Sequence, residues 1–353
     1  MSLINAREIT LNEAAVLTGG TVVGDGTLKV CGIAAPEYYQ EGCLAPLWEK
    51  KYRPLATAEK LLFTVKGWIP EGGSGIEVEE PRTALIKLLA SFDQEPKAVP
   101  GISEKAQVAE SAVLGKNISI YSGAVVKENA VIGDNTVVME NAVIGCGAQL
   151  GKNCVIEPGA VIYHHCLLGD NCVIHSNAAI GCDGFGFLPD PKAGMVKIPQ
   201  IGIVRLDNGV EIGASTSVDR ATFGETYIGP CTKIDSHVKI GHNCHIGAYT
   251  IIVAQAGIAG SSKIGSRVIL AAQSGVANHS AVGDGCTVGG RAGVVSDIPD
   301  GQTVSGFPAQ EHRKELRLQA AVRQLPETLK KLKTVLRESG RSEGTDSDEN
   351  SEK

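Results

Sequence analysis

Histidines are concentrated in one short segment of the chain, and one of them could serve as a catalytic base. His237, His242 and His245 lie between residues 235 and 245, and His279 follows farther along. Imidazole exchanges a proton near neutral pH, which suits removal of a proton from an amine or hydroxyl that attacks a thioester. A hydrogen-bonded surface histidine is an alternative that the spacing leaves open.

A metal site is a second alternative, because His237 and His242 are five residues apart. The third ligand would lie near residues 201–206, a segment of apolar residues, one glycine and one arginine. The ten cysteines include no C-x-x-C pair, and no G-x-x-x-x-G-K-[ST] loop is present to bind a nucleotide phosphate. We therefore expect neither a metal nor a cofactor.

A six-residue period must position these histidines. Every sixth residue from Ile102 to Ile180 is Ile, Val or Leu, fourteen positions in succession, and the pattern runs cleanly again from Ile228 to Val294. This period is neither helical nor a simple strand alternation. It is typical of a mainly β solenoid in which each hexad forms one short strand and a turn, and three hexads complete a triangular coil.

The period also predicts which histidines are neighbours. His242 follows the axis-facing residue Ile240 by two, and Val276, just before His279, lies thirty-six residues or two whole coils after Ile240. His242 and His279 should therefore share one edge of the prism, roughly 9–10 Å apart along its axis.

Two interruptions of the period are candidates for function. The first, at residues 182–211, includes Phe185 and Phe187, and the second is a slip of four residues around Thr222–Tyr227. Loops that leave a rigid scaffold often carry binding residues. We therefore predict a binding loop in the first interruption, with a solvated insertion as the alternative.

The flanking segments do not follow the period. Residues 1–100 are predicted to form a small α/β domain that contains a capped helix from Leu11 and a helix over Pro81–Phe92. Residues 101–309 form the solenoid, 310–338 two short helices with the second opened by Pro326, and 339–353 a disordered tail.

Charge narrows the possible partners. Thirty-three basic and thirty-nine acidic residues give a net charge of −6, which argues against a general nucleic-acid binder. No apolar run is long enough to span a membrane and no signal peptide is visible, so we expect a cytoplasmic protein. The helical segment 310–338 has a net charge of +4. This segment is either a solvated helix face or a docking site for an acidic protein.

These motifs together resemble the UDP-3-O-(3-hydroxyacyl)glucosamine N-acyltransferases of lipid A biosynthesis in Gram-negative bacteria. The resemblance covers nearly the whole chain, and its specific motifs are Asp183–Phe187, Lys197–Gly202, Val210–Ala214 with Val218–Arg220, Ile240–Asn243 and His279. It implies a left-handed parallel β-helix of hexapeptide repeats, an N-terminal α/β domain and C-terminal helices. It also implies a homotrimer with active sites between adjacent prisms. The implied reaction transfers a 3-hydroxyacyl chain from acyl carrier protein to the 2-amino group of a UDP-3-O-acylated glucosamine.

The resemblance also suggests a role for individual residues of this chain. His242 resembles the general base, the Gly260 N–H the oxyanion donor, His279 a positioning group and Asp235 a partner of the base. The amine can attack the thioester directly, so no covalent acyl-enzyme is required. The remaining implied contacts are Phe185 and Phe187 with the substrate, and Arg313, Lys314 and Arg317 with the acidic carrier protein.

Nucleotide recognition departs from the family pattern. The family holds uracil with an aromatic residue, an asparagine and a tyrosine around a Lys-Tyr-Arg element. Here Tyr52 is kept, but Pro46 and Glu49 stand at the aromatic and asparagine positions, and Trp48 is the candidate replacement ring. Two rival functions are a UDP-N-acetylglucosamine O-acyltransferase and a non-catalytic or metal-binding hexapeptide solenoid. The period does not predict the acyl chain length.

Overall fold

A computed structural model describes residues 8–93 and 98–342, with side chains up to residue 336. Contacts between residues divide the chain into two units, Met1–Lys97 and Ala98–Lys353. The disordered tail predicted for residues 339–353 lies, from residue 343 onward, outside the described residues.

The first unit is an α/β fold whose two helices are those that the sequence predicts. Helix α1 (Leu11–Thr18) begins with a capping box between Thr10 and Glu13 and is capped at its end by Gly19 in the left-handed conformation. Five strands form one sheet, in the order β2 (Thr21–Val23), β7 (Ser74–Glu77), β6 (Leu61–Thr64), β5 (Cys43–Leu47) and β4 (Gly32–Ile33). The elements are β1 (Ile9–Thr10), α1 (Leu11–Thr18), β2 (Thr21–Val23), β3 (Lys29–Val30), β4 (Gly32–Ile33), β5 (Cys43–Leu47), β6 (Leu61–Thr64), β7 (Ser74–Glu77) and α2 (Pro81–Phe92), with 3-10 turns at Pro36–Tyr38 and Lys50–Leu55.

The second unit is a parallel β-solenoid built from three sheets, which we call the first, second and third faces in the order that the chain visits them. Each strand pairs in parallel with the strand one coil later, usually eighteen residues on, as Ile240 does with Ile258 and Ile258 with Val276. From Ile120 onward the aliphatic residues of the six-residue period are buried along the axis, together with Cys154, Cys166, Cys172, Cys244 and Cys286 at the small positions. The solenoid and its triangular coil are therefore those that the period predicts.

The strands of the three faces are short and regular. The first face contains β8 (Gly101–Ile102), β11 (Ser119–Ile120), β14 (Val137–Val138), β17 (Val155–Ile156), β20 (Val173–Ile174), β25 (Glu211–Ile212), β28 (Lys233–Ile234), β31 (Ile251–Ile252), β34 (Ile269–Leu270), β37 (Thr287–Val288), β39 (Thr303–Ser305) and the antiparallel β40 (Gln310–Glu311). The second contains β9 (Gln107–Val108), β12 (Val125–Val126), β15 (Val143–Ile144), β18 (Val161–Ile162), β21 (Ala179–Cys182), β26 (Ser217–Asp219), β29 (Lys239–Ile240), β32 (Gly257–Ile258), β35 (Gly275–Val276) and β38 (Gly293–Val294). The third contains β10 (Val113–Leu114), β13 (Val131–Ile132), β16 (Gln149–Leu150), β19 (Leu167–Leu168), β24 (Ile203–Leu206), β27 (Glu225–Ile228), β30 (His245–Ile246), β33 (Lys263–Ile264) and β36 (Ala281–Val282).

The turns between faces depend on residues in the left-handed conformation. Among the residues that the structure describes, nineteen other than glycine have a positive φ near 60°, and eight of these are asparagines, so asparagine is the main turn residue. Four of them stack along one edge, where Asn117, Asn135, Asn153 and Asn171 form a ladder of side-chain hydrogen bonds of 3.1–3.2 Å.

Both interruptions of the period appear as irregular coils. Leu168 pairs with Leu206, so that coil holds thirty-eight residues and carries an antiparallel hairpin of β22 (Phe187–Asp190) and β23 (Gly194–Lys197). Ile212 pairs with Ile234, twenty-two residues on, which confirms the slip of four.

The C-terminal segment differs from the prediction of two short helices. It forms one helix, α3 (His312–Ser342), with Pro326 inside it. The proline removes one backbone hydrogen bond and crowds the preceding turn, which costs about 3 kcal/mol or more. The helix nevertheless continues through it, between the good helix formers Leu325 and Glu327. Apolar side chains along α3 are about half exposed, and they alternate in steps of four and three residues: Leu318, Val322, Leu325, Leu329, Leu332 and Leu336.

Candidate active site

The corner between the second and third faces, which we call the second corner, collects the irregular segments and the candidate base. His242 and Gly260 lie there on consecutive coils, since both follow second-face strands by two residues. His279 lies on the next coil, where its backbone N–H donates to Gly260 O at 3.2 Å. The prediction that His242 and His279 share one edge is therefore confirmed.

The imidazole of His242 lies directly over Gly260. A Cβ atom placed on Gly260 would be 2.7 Å from Nε2 and 2.8 Å from Cε1 of His242. The two coils are joined at this point because Ser261 N–H donates to His242 O at 2.8 Å. The working nitrogen of the candidate base thus lies beside the backbone of the candidate oxyanion donor.

The backbone N–H of Gly260 is available for a ligand. Within residues 8–93 and 98–342 it donates to no backbone or side-chain acceptor. A Cβ atom on Gly241 would lie 2.6 Å from the Gly260 nitrogen, so the absence of a side chain at Gly241 keeps this space open. A free N–H at a half-buried corner is suited to stabilise a developing oxyanion.

The interruption at residues 182–211 reaches the same corner. A Cβ atom on Gly184 would lie 2.7 Å from Cβ of His242 and 2.6 Å from Oε1 of Gln200. Phe185 is 84% exposed, and its ring contacts that of Phe187 at a centroid distance of 5.2 Å. The two aromatic residues therefore present an apolar surface on a loop that packs against the candidate base.

Asp235 lies elsewhere in the same chain. It follows the first-face strand β28, at the corner between the first and second faces. Its Oδ1 accepts from Ser236 N–H at 2.7 Å and its Oδ2 from Ala254 N–H at 3.1 Å. The chain therefore does not bring Asp235 to His242. The hydrogen-bond partner of His242 Nδ1 is Oδ1 of Asn243, at 3.1 Å.

The histidines that are close together in the sequence lie on different parts of the solenoid. His237 is exposed at the same corner as Asp235, and His245 is exposed in the third-face strand β30. In the part of the chain that the structure describes, no group of three His, Cys, Asp or Glu residues could hold a metal ion. The His237–His242 metal alternative thus has no support.

A narrow apolar groove runs along the second face beside this corner. Gly257, Gly275 and Gly293 stack in register, and the first two have open space where a Cβ atom would stand. The groove has a volume of about 550 Å³, with Lys239 near the His242 end and Phe307 at the other. Phe307 packs on Gly293 so closely that a Cβ atom there would overlap its ring. Neither the glycine column nor Phe307 was predicted from the sequence, because neither belongs to the aliphatic six-residue period.

A second cavity, of about 570 Å³, lies on the first face and includes His175, Glu211, Lys233 and Asp235. His175 Nδ1 is 2.8 Å from Glu157 Oε1, and its Nε2 is 2.9 Å from Glu211 Oε1. Partial burial alone would lower the pKa of His175. The hydrogen bonds and charges of the two glutamates outweigh that effect and raise the pKa. The surroundings of His175 therefore stabilise its charged form.

In the first unit, Trp48 and Tyr52 are not brought together. Trp48 packs against the core that contains Leu44 and Phe63, whereas Tyr52 packs against Ala45, Leu47 and Leu62. These two clusters lie on opposite faces of the sheet, because strand residues alternate between faces. Trp48 is therefore not placed to replace a ring beside Tyr52. Tyr39 and Trp68 share the cluster of Tyr52 instead.

The three candidate carrier-binding residues lie at the start of α3. Arg313, Lys314 and Arg317 are exposed, and the backbone N–H groups of Arg313 and Lys314 donate to the carboxylate of Glu311 at 2.9 and 2.7 Å. No ion pair joins these three side chains to a carboxylate among the residues up to 336. Their charge thus faces solvent.

The chain is similar to known proteins over most of its length. The bacterial transferase hexapeptide family (six repeats) matches residues 147–182 and 225–260. The UDP-3-O-acylglucosamine N-acyltransferase of Syntrophus aciditrophicus is 49% identical over 322 residues, which cover 90% of this chain and 88% of that protein. The protein of the same name from Syntrophotalea carbinolica is 51% identical over 319 residues, or 90% and 93% of the two chains.

A solved structure shares the fold. An Arabidopsis UDP-N-acetylglucosamine acyltransferase aligns with a TM-score of 0.55 and 24% identity, over 60% of this chain and 73% of that one. The expected fold class, mainly β with a left-handed parallel β-helix, is confirmed. Across the described residues, no helix has the length and apolar character needed to cross a bilayer.

Proposed function

Because this chain belongs to the UDP-3-O-acylglucosamine N-acyltransferase family, we propose that it transfers a 3-hydroxyacyl chain to the 2-amino group of a UDP-3-O-acylglucosamine in lipid A biosynthesis. The observation that carries the mechanism is the position of His242 Nε2 beside the free N–H of Gly260. A base and an oxyanion donor on consecutive coils are the two groups that aminolysis of a thioester requires.

The proposed step is direct attack. The amine nitrogen forms a bond to the thioester carbonyl carbon while His242 Nε2 takes one amine proton. The carbonyl oxygen becomes an oxyanion that accepts a hydrogen bond from Gly260 N–H. When the intermediate collapses the C–S bond breaks, and the proton on His242 passes to the leaving thiolate. His279, two coils from His242, positions a flanking group of the substrate.

The acyl donor is proposed to be acyl carrier protein. Arg313, Lys314 and Arg317 form an exposed basic group at the start of α3. Such a group attracts an acidic partner and accelerates its association. The groove lined by Gly257, Gly275 and Gly293 would then receive the acyl chain, and the ring of Phe307 would mark its far end.

A homotrimer in the cytoplasm completes the proposal. Asp235 and His242 lie at different corners of one prism, so they can meet only if a second copy supplies one of them. The apolar stripe of α3 has the alternating four- and three-residue steps of a coiled-coil seam and is half exposed. The half-exposed stripe of α3 supports association of several copies about a shared axis.

The O-acyltransferase alternative receives less support. Both N-acyltransferase relatives align over 90% of the chain, whereas the O-acyltransferase structure aligns over 60%. An N-terminal domain of this kind is not expected in that rival family.

Uridine contacts in the first unit are proposed to involve Tyr52, with Phe185 and Phe187 contacting substrate at the second corner.

The test is acyl transfer from 3-hydroxyacyl carrier protein to UDP-3-O-acylglucosamine, comparing wild type with His242→Ala. Loss of a general base should slow transfer on the order of 10²–10⁴-fold. His245→Ala, an exposed histidine on the next strand, should keep full activity. Equal rates for wild type and His242→Ala would refute the mechanism. A wild type that acylates only UDP-N-acetylglucosamine would establish the O-acyltransferase instead.

A further inference from the structure

The amide of Asn243 is held in one orientation by its surroundings. Its Nδ2 donates to Phe223 O at 2.9 Å, and its Oδ1 accepts from Thr222 N–H at 2.9 Å. A carbonyl oxygen only accepts and a backbone N–H only donates, so exchanging Oδ1 and Nδ2 would break both bonds. The backbone N–H of Asn243 is also fixed, because it donates to Thr226 Oγ1 at 2.9 Å.

This orientation determines which nitrogen of His242 carries the proton. Oδ1 of Asn243 lies 3.1 Å from Nδ1 of His242. Since that oxygen can only accept, neutral His242 must place its hydrogen on Nδ1 to form the bond. Nε2, which lies over Gly260, is then unprotonated and able to take a proton. A histidine in the other tautomer would present an N–H to the amine and could not act as a base.

The residues that hold the Asn243 amide belong to the irregular coil. Thr222, Phe223 and Thr226 all belong to the slip of four residues that breaks the six-residue period. The start of the slip is anchored by Arg220, which is 1% exposed and donates to Gly181 O at 2.7 Å and His164 O at 3.1 Å. Regular turn asparagines behave differently, because the side chains of Asn135 and Asn153 bond only to other asparagine side chains in their ladder.

We propose that Asn243 is a positioning residue that fixes His242 as the Nδ1–H tautomer, and that the four-residue slip in the solenoid serves to orient Asn243. The proposal rests on the proposed function, in which His242 is the base. It assigns a role to an interruption of the period that the acyl-transfer step itself does not use.

The test is Asn243→Gly in the full-length protein. Asn243 has a φ of 59°, which glycine adopts without strain, so the turn is kept while the amide is removed. The matched control is Asn153→Gly, at the equivalent turn position with a φ of 55° but in the asparagine ladder. The conservative variant Asn243→Asp keeps an oxygen for Nδ1–H and for Thr222 N–H.

Two readouts separate positioning from a general structural effect. In ¹⁵N spectra of histidine-labelled protein, with His242 assigned from a His242→Gln sample, wild type and Asn243→Asp should show the proton on Nδ1. Asn243→Gly should lose that preference. The kcat of Asn243→Gly should fall roughly tenfold, the equivalent of one hydrogen bond, with KM unchanged. Asn153→Gly should alter neither readout, and Asn243→Asp should recover most of the rate.

An Asn243→Gly protein with the wild-type tautomer and wild-type kcat would overturn the proposal. If Asn243→Gly and Asn153→Gly lose activity and thermal stability equally, a structural role for the turn replaces it. The tautomer is read without any substrate. A failure of the proposed function, seen as full activity in His242→Ala, is therefore distinguishable from a failure of this inference.

Discussion

The imidazole of His242 occupies the space that any side chain at residue 260 would need, since a Cβ atom on Gly260 would lie 2.7 Å from its Nε2. Substitution of Gly260 by alanine should therefore displace the base from the oxyanion donor while leaving the fold intact. We expect the rate of acyl transfer to fall by about 10²-fold or more, comparable with the loss of an oxyanion-hole group. Steady-state kinetics and circular dichroism on the same sample measure both effects.

The control for this substitution is Gly290→Ala. Gly290 also follows a solenoid strand by two residues, but its Cβ atom would meet only Ala272 O, at 3.6 Å. It should retain wild-type activity, and equal losses in the two variants would remove Gly260 from the site.

The glycine column beside the corner predicts how chain length is selected. Gly275→Val places a branched side chain in open space at the middle of the groove, within a strand that tolerates valine. If the acyl chain lies there, excluding two methylenes should lower kcat/KM for long donors about tenfold relative to short ones. The measurement is kcat/KM across 3-hydroxyacyl donors of increasing length. An unchanged length preference would place the chain elsewhere.

The proposed homotrimer, in which Asp235 and His242 of one site come from different copies, predicts the behaviour of mixed trimers. His242→Ala and Asp235→Asn trimers should each be slow. Mixed trimers of the two variants should regain about one third of wild-type activity, because one junction in three then unites both native residues. Differently tagged chains allow the mixed trimers to be isolated and assayed. Inactive mixed trimers would show that the two residues do not act together across copies.

His175 predicts a pH-dependent contribution to stability. Its pKa is raised in the folded chain by Glu211 and Glu157, so folding favours the charged imidazole. The stabilisation is complete below the ordinary histidine pKa of about 6.5 and is lost as the pH rises through the raised value. The difference in thermal stability between wild type and His175→Gln should be larger at about pH 6 than at about pH 9. His237→Gln, an exposed control, should show a smaller difference between these two conditions.

The six-residue period was sufficient to predict the axis of the solenoid and the shared edge of His242 and His279. This prediction succeeds because corresponding residues on successive coils, such as Ile240, Ile258 and Val276, pair with one another and are all buried on the axis. The same period also predicts that Asp235 and His242 lie at different corners, because they are seven residues apart and each six-residue hexad spans one face of the solenoid. The resemblance to a family suggested instead that it accompanies His242 and gave no information about which copy supplies it.

Other parts of the site depend on contacts that no local pattern encodes. The bond from His242 to Asn243 is informative only because Thr222 and Phe223, in an irregular coil, fix the amide. Trp48 and Tyr52 are four residues apart in the sequence, but they pack on opposite faces of the sheet. Pro326 was expected to open a second helix, but α3 runs through it despite a cost of about 3 kcal/mol or more for a proline inside a helix.

The coils of this solenoid are layers of equal height, so distances along its axis can change in equal steps. Adding or removing eighteen residues between Gly260 and Gly293 would move everything downstream by one strand spacing, roughly 4.8 Å, without rotating it about the axis. The distance from His242 to Phe307 can therefore change in whole layers, while single substitutions in the glycine column adjust it within a layer. A protein built in this way can evolve a new substrate length without rebuilding the corner that performs the chemistry.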